Sequence, residues 1–157
     1  DGAASERAGQ ALAFARSDLL CYRAEESAEL VARQNLAWNP LLDWAAERYG
    51  ARLKIASGIV FVEQPAEALA ALERAVAGRS PFHLTALHSA AAITGSLVLA
   101  LALAEGRLSA AEAFAASRLD ESFQAEKWGE DAEAAARAAR LAAELAAVER
   151  FLRSLDA

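Results

Sequence analysis

"FHLTALHSAAAITGSLVLALALA", residues 82–104, decides the fold, because it contains no Asp, Glu, Lys or Arg and is long enough to cross a bilayer. Read as a membrane span, it makes the chain an integral membrane protein. Read as a helix covered on all sides by its neighbours, it makes the chain a helical bundle. The stretch holds two histidines, two threonines and two serines, and no clear run of Lys or Arg flanks it. Those features favour the buried helix. Ser80 as N-cap and Pro81 at the first helical position place its start, and Gly106 places its expected end. Ala92, Ser96 and Ala100, at four-residue spacing, give it a side on which another helix can come close.

A helix of that kind needs other helices around it, and the punctuation of the chain supplies them. "NPLLDWAAERYG" (39–50) predicts a helix with Asn39 as cap, Pro40 at the first position and Gly50 at its end. "QPAEALAALERAVAG" (64–78) repeats the arrangement with Pro65 and Gly78. "SAAE" (109–112) is a capping box, and Gly129 is the stop of the helix that follows it. Leu30, Val31 and Leu36 mark a helix within 25–37. Along 131–155, Ala134, Ala138, Leu141, Leu145, Val148, Leu152 and Leu155 form one apolar stripe at alternating four- and three-residue spacing. Glu133 with Arg137 and Glu149 with Arg153 are i,i+4 pairs on that helix.

"RLKIASGIVFVE" (52–63) is the exception. Ser57-Gly58 between Leu53/Ile55 and Ile59–Val62 predicts a β-hairpin with a two-residue turn. Its second strand is apolar on both faces and needs covering by helices, by another sheet or by a β neighbour upstream. The expected fold class is therefore mainly α, a helical bundle domain with one short β-hairpin.

Composition narrows the function. The hydrophobic share of 55% overstates the core, since 44 of the 157 residues are alanine, which favours helix and buries little area. A net charge of −6 argues against nucleic acid or an anionic membrane surface as partner. The single cysteine, Cys21, excludes an internal disulfide and a Cys-cluster metal site and reads as a small buried hydrophobe. A single cysteine fits a reducing cytoplasm, the expected location, and the opening "DGAASERAGQ" has no apolar stretch of the kind that marks a signal peptide. His83 and His88 are five apart, about 140° around a helix, and share no ligand face. No phosphate-cradling glycine loop and no Gly-x-Ser-x-Gly elbow occurs. Neither a cofactor nor a metal is expected.

What remains is "RLDESFQAEKWGE" (118–130), where Asp120, Glu121, Gln124, Lys127 and Trp128 are the candidate partner-binding residues. On a helix, Glu121, Gln124 and Trp128 lie on one side, while Leu119 and Phe123 fall on a neighbouring side. Phe123 reads as core. For the Glu121–Gln124–Trp128 face two readings stand equal: Trp128 is core together with Leu119 and Phe123 and the polar residues are a solvated face, or the face is an interface anchored by an exposed tryptophan. Adjacent Asp120 and Glu121 point about 100° apart and have no evident base or metal, which disfavours an acid/base pair. Two competing classes stand beside recognition: an enzyme or metal-binding bundle using Glu121 with His83 or His88, and a structural interaction domain of a larger protein.

Together "SDLLCYRAEE", "LVARQNLAWNPLLDWAAERYG" and "GSLVLALALAEGRLSAAEAFAASRLDESFQAEKWGE" resemble the assembly chaperone family that handles the alpha subunit of the F-type ATP synthase catalytic sector. The resemblance runs from about Ser17 to Glu130 and more weakly through the last helix. Its most specific parts are Gln34, Trp38, Pro40 and Trp44, then Leu119, Glu121, Phe123, Gln124, Trp128 and Gly129. Trp38, Pro40, Trp44, Phe123 and Gly129 are its structural positions. The resemblance implies a non-enzymatic chaperone, without cofactor or nucleotide, that binds the free alpha subunit and covers the interface later taken by the beta subunit. It implies a functional acid in "LDESFQ", which maps onto Glu121. It also implies a cytoplasmic location in bacteria and the mitochondrial matrix for eukaryotic relatives. Family members carry a β-rich N-terminal domain before the helical one. The expected division is therefore 1–16, a polar N-terminal segment or interdomain connection, and 17–157, the helical chaperone domain with its hairpin at about 52–63.

Overall fold

A computed structural model describes residues 2–156. The described residues form eight α-helices: α1 (Gly2–Arg16), α2 (Ala28–Tyr49), α3 (Ala66–Val76), α4 (Pro81–Thr94), α5 (Leu97–Ala104), α6 (Ala110–Ser117), α7 (Leu119–Trp128) and α8 (Ala132–Asp156). Two strands of two residues each, β1 (Tyr22–Arg23) and β2 (Ala56–Ser57), complete the fold.

The charge-free stretch sits at the centre, but as two helices rather than one reaching Gly106. Gly95 adopts φ +76°, a left-handed conformation that ends α4, and its N–H bonds Ala91 O at 2.7 Å. Ser96 then caps α5 by accepting from Leu99 N at 3.0 Å, and Asp18 Oδ2 accepts from Val98 N at 3.1 Å. The break is stable because these side chains take up the N–H groups that a new helix start leaves without partners. It also separates the small residues expected on one helix side: Ala92 is exposed, whereas Ser96 and Ala100 are buried. Residues 97–103 of α5 are buried on every side. No helix among the described residues is long and apolar enough to cross a membrane.

Around α4 lie α1, α8 and α5. The sequence expectation for segment 1–16 is a polar stretch or a connection; Asp1 falls outside the described residues, and Gly2–Arg16 is helical. This helix, α1, buries Ala11 and Ala15 in the main core, and runs beside α4 with Arg7 donating to Thr85 Oγ1 at 3.3 Å. Alanines at the contact explain the burial of so polar a helix: their short side chains let backbones approach while the charged residues face water.

The helices expected at 25–37 and 39–50 are one, α2, capped by Ser27, with Pro40 in its interior. Proline there cannot donate to the carbonyl four residues back, that of Leu36. Leu36 and Pro40 lie on the exposed side, where water can serve that carbonyl and the helix continues. Asn39, expected as a cap, instead accepts from Arg23 Nη1 at 2.8 Å. Pro65, expected at the first helical position, is itself the N-cap of α3. The capping box at Ser109 and Glu112 forms in both directions, at 3.1 and 2.8 Å.

The hairpin at 52–63 does not form. β2 pairs in parallel with β1, Tyr22 opposite Ala56 and Arg23 opposite Ser57, and Gly58 N extends the pairing to Arg23 O at 3.0 Å. A strand folding back would need the backbone of Lys54, but the Gln64 side-chain amide holds both its N–H and its C=O, at 2.8 and 2.9 Å. Gly58 is at φ +76°, and the Glu25 carboxylate lies 2.9 Å from where a Cβ would stand. Ile59, Val60 and Phe61 are left exposed, so the covering their two apolar faces call for is not supplied by the described residues.

Candidate partner-binding site

The site begins with α2, because α2 decides which side of α7 is free. Trp38 is fully buried in a second apolar cluster with Leu20, Cys21, Leu41, Val98 and Leu99, and its Nε1 donates to Ala116 O at 2.9 Å. That bond fixes the end of α6, and α7 follows after a break at Arg118. Four residues along α2, Gln34 is buried and uses its whole amide: Oε1 accepts from Ala24 N and Nε2 donates to Asp120 Oδ1, both at 2.8 Å. Phe123 is 5% exposed and docks one turn further along α7. The Arg33 guanidinium lies 5.2 Å and the Lys127 ammonium 5.3 Å from the centre of its ring. Arg33 also pairs with Glu126 and with Glu29, and Lys127 reaches Glu29 at 3.3 Å. Lys127 and Arg33 together hold the Glu29 carboxyl below its ordinary value. These exposed pairs contribute little individually. Their effect here is orientation, since they fix the roll of α7 about its axis.

The expected partner-binding set therefore divides. Asp120 and Lys127 face α2 and are engaged within the chain. Glu121, Gln124 and Trp128 face outward, all exposed and with no hydrogen bond or ion pair among the described residues; Trp128 is 82% exposed. Gly129, at φ +89°, ends α7 by returning its N–H to Ala125 O at 2.9 Å. The chain then turns into α8, whose first turn is capped by Asp131. Between α7 and the N-terminal half of α8 lies a groove of about 1080 Å³. Glu121, Gln124 and Trp128 line one side; Ala134, Ala135 and Ala138 line the other. Arg118, lying over Phe114 at 6.0 Å, and Glu130 also border it. The sequence reading missed these two and Arg33. Arg33 and Arg118 carried local signals, their i,i+4 relations to Glu29 and Phe114; Glu130 carried none.

Of the structural positions, Trp38 and Phe123 are core. Trp44 is half-buried and meets Tyr49 edge-on at 5.5 Å, and Pro40 lies on the surface of α2. A second groove of about 470 Å³ beside Pro40 is lined by Leu36, Leu41, Leu108 and Leu119. The two histidines are not at the groove. His83 shares hydrogen bonds with Ser80 Oγ at 2.8 Å and Asp156 Oδ1 at 3.3 Å, while His88 tilts against Phe14. Among the described residues no three His, Cys, Asp or Glu side chains are placed to hold a metal ion. Cys21 is fully buried, and burial pushes its thiol up to about 12, so it stays protonated.

A family model described as ATP12 chaperone protein matches residues 2–46. The whole fold is similar to that of Atp12 from Paracoccus denitrificans, with 44% sequence identity and a TM-score of 0.92 over 94% of this chain and 64% of that one. It is equally similar to a protein from Agrobacterium tumefaciens, at 44% identity and a TM-score of 0.92, over 97% of this chain and 57% of that one. The chain thus spans somewhat under two thirds of the length of these relatives. The segment match at the N-terminus and the agreement of the helical body at this identity make the chain similar to the ATP12 chaperone family in both sequence and fold.

Proposed function

We propose that the chain acts in assembly of the ATP synthase as a chaperone, holding the free alpha subunit through the outward face of α7 and shielding its interface for the beta subunit. The observation that carries this reading is Trp128, exposed beside Glu121 and Gln124 on a face that the rest of α7 is anchored to present. A large aromatic flanked by unused hydrogen-bonding groups is the makeup of an interface anchor. Subunits of a hetero-oligomer expose apolar interfaces until they meet, and such surfaces aggregate. A binder that covers one shifts the population away from aggregation by mass action and yields when the true partner offers more contact. Nothing in this cycle calls for a nucleotide or a metal, and the reading places the chain in the bacterial cytoplasm.

The test dilutes denatured alpha subunit into buffer with and without the chain and follows light scattering. Scattering should fall when the chain is present, with no requirement for ATP, and the alpha subunit should be recovered with it. Aggregation at an unchanged rate, with no recovered complex, would remove this function.

A further inference from the structure

α8 is longer than the body it packs on. Its stripe runs from Ala134 to Leu155, yet only Leu145 and Leu152 of it are buried. The core receives α8 through α4, α6 and α5, and the N-terminal part of the stripe faces the groove beside α7 instead. Alternating four- and three-residue spacing is the pattern one helix presents to another, and here its first two positions, Ala134 and Ala138, border an open groove instead of packing in the core. Ala134 and Ala138 carry nothing beyond Cβ, so a facing backbone can come close. The groove's volume of about 1080 Å³ is that of about two and a half turns of a helix about 10 Å across. Its border carries five carboxylates against two guanidiniums. Two of those carboxylates, Glu121 and Glu130, have no partner among the described residues.

We propose that the groove between α7 and α8 is the docking site of an amphipathic helix of the partner protein, one with Lys or Arg beside its apolar stripe. The proposal deepens the function above and rests on it for the identity of the partner. Trp128 would close over the apolar stripe, the alanine wall would take its other side, and Glu121 and Glu130 would meet its cations.

Two synthetic helical peptides of about 14 residues (roughly four turns), with one leucine stripe in common and flanked by Lys in one and Glu in the other, test this on the full chain. Tryptophan fluorescence reads the titration, since Trp128 is the exposed indole. The Lys peptide should bind at least about tenfold more tightly, with the difference shrinking as salt shortens the screening length. Ala138→Trp should abolish binding by filling the groove; Glu130→Lys, a surface change, should weaken the Lys peptide and strengthen the Glu peptide. Equal binding of the two peptides, binding of neither at millimolar concentration, or indifference to both substitutions would overturn the proposal. Capture of the alpha subunit, measured alongside, separates the two readings. Peptide selectivity without alpha-subunit capture keeps the groove and removes the partner. Alpha-subunit capture by folded Ala138→Trp keeps the partner and overturns the groove.

Discussion

On α7, neighbouring residues have opposite duties, and substitution should separate them. Glu121 is exposed and unpaired, so Glu121→Lys should change stability by no more than about half a kcal/mol. It should nevertheless lower alpha-subunit affinity by well over tenfold, since it replaces an attraction with a repulsion. Calorimetry and a pull-down read the two effects. Phe123→Ala should do the reverse, costing about 3 kcal/mol of stability through the cavity left between Arg33 and Lys127. Asp18 gives a different residue-level expectation. It is fully buried, and burial raises its carboxyl from 3.8 to about 6 in spite of the hydrogen bonds from Ser96, Val98 and Leu20. With the folded value above the unfolded one, its contribution is fully present below pH 3.8 and is lost as pH rises through about 6. Denaturant titrations should therefore find the protein about 1 kcal/mol less stable at pH 7.5 than at pH 5 on account of this group. Asp18→Asn should flatten that slope.

At the scale of elements, side chains decide where helices stop. Gly95 is the hinge between α4 and α5, and its missing Cβ would meet only Leu19 Cβ, at an ordinary 3.8 Å. The cost of Gly95→Ala is therefore conformational, about 1–2 kcal/mol for a left-handed alanine, and a thermal melt should show it as a lower midpoint with unchanged helix content. The glycine and the serine after it are plain in the sequence. Their meaning is not, because a glycine inside an apolar run is tolerated by a continuous helix unless acceptors stand ready to cap a new one. Asp18, eighty positions away in the chain, is such an acceptor. Pro40 is the converse case. A local rule reads Asn39-Pro40 as a start, but Arg23 engages Asn39 and α2 runs through.

Across the whole molecule, apolar surface is distributed unevenly. The body of the domain is tightly filled around α4 and α5, whereas Ile59, Val60 and Phe61 stand 105%, 65% and 67% exposed on the segment after β2. Such a patch promotes association in water. Ile59→Lys combined with Phe61→Lys should leave the melting temperature nearly unchanged, because neither side chain is buried, and should suppress the concentration-dependent scattering of the isolated chain. A fall in melting temperature would mean that the segment packs on the body in solution.

Local sequence was enough for the helical class, the capping box at Ser109, the cap and proline that start α4, the stop at Gly129, and the placing of Phe123 inside; that Trp128 stands outside came from the packing of α7 on α2. Each of the local features depends on residues within about two turns of one another, where backbone hydrogen bonding and helical periodicity act without help. Only the tertiary structure decided that the charge-free stretch is two helices and that residues 2–16 belong to the core. It also paired Ala56–Ser57 with Tyr22–Arg23 rather than with its own continuation. The division of the partner-binding candidates, with Asp120 and Lys127 turned to α2 and Glu121, Gln124 and Trp128 turned to the groove, was likewise a tertiary outcome. The reason is the same in each case: the deciding partners, Asp18, Gln34, Arg23 and Gln64, act across the fold, and no local pattern records which distant group will satisfy a given N–H or carboxylate.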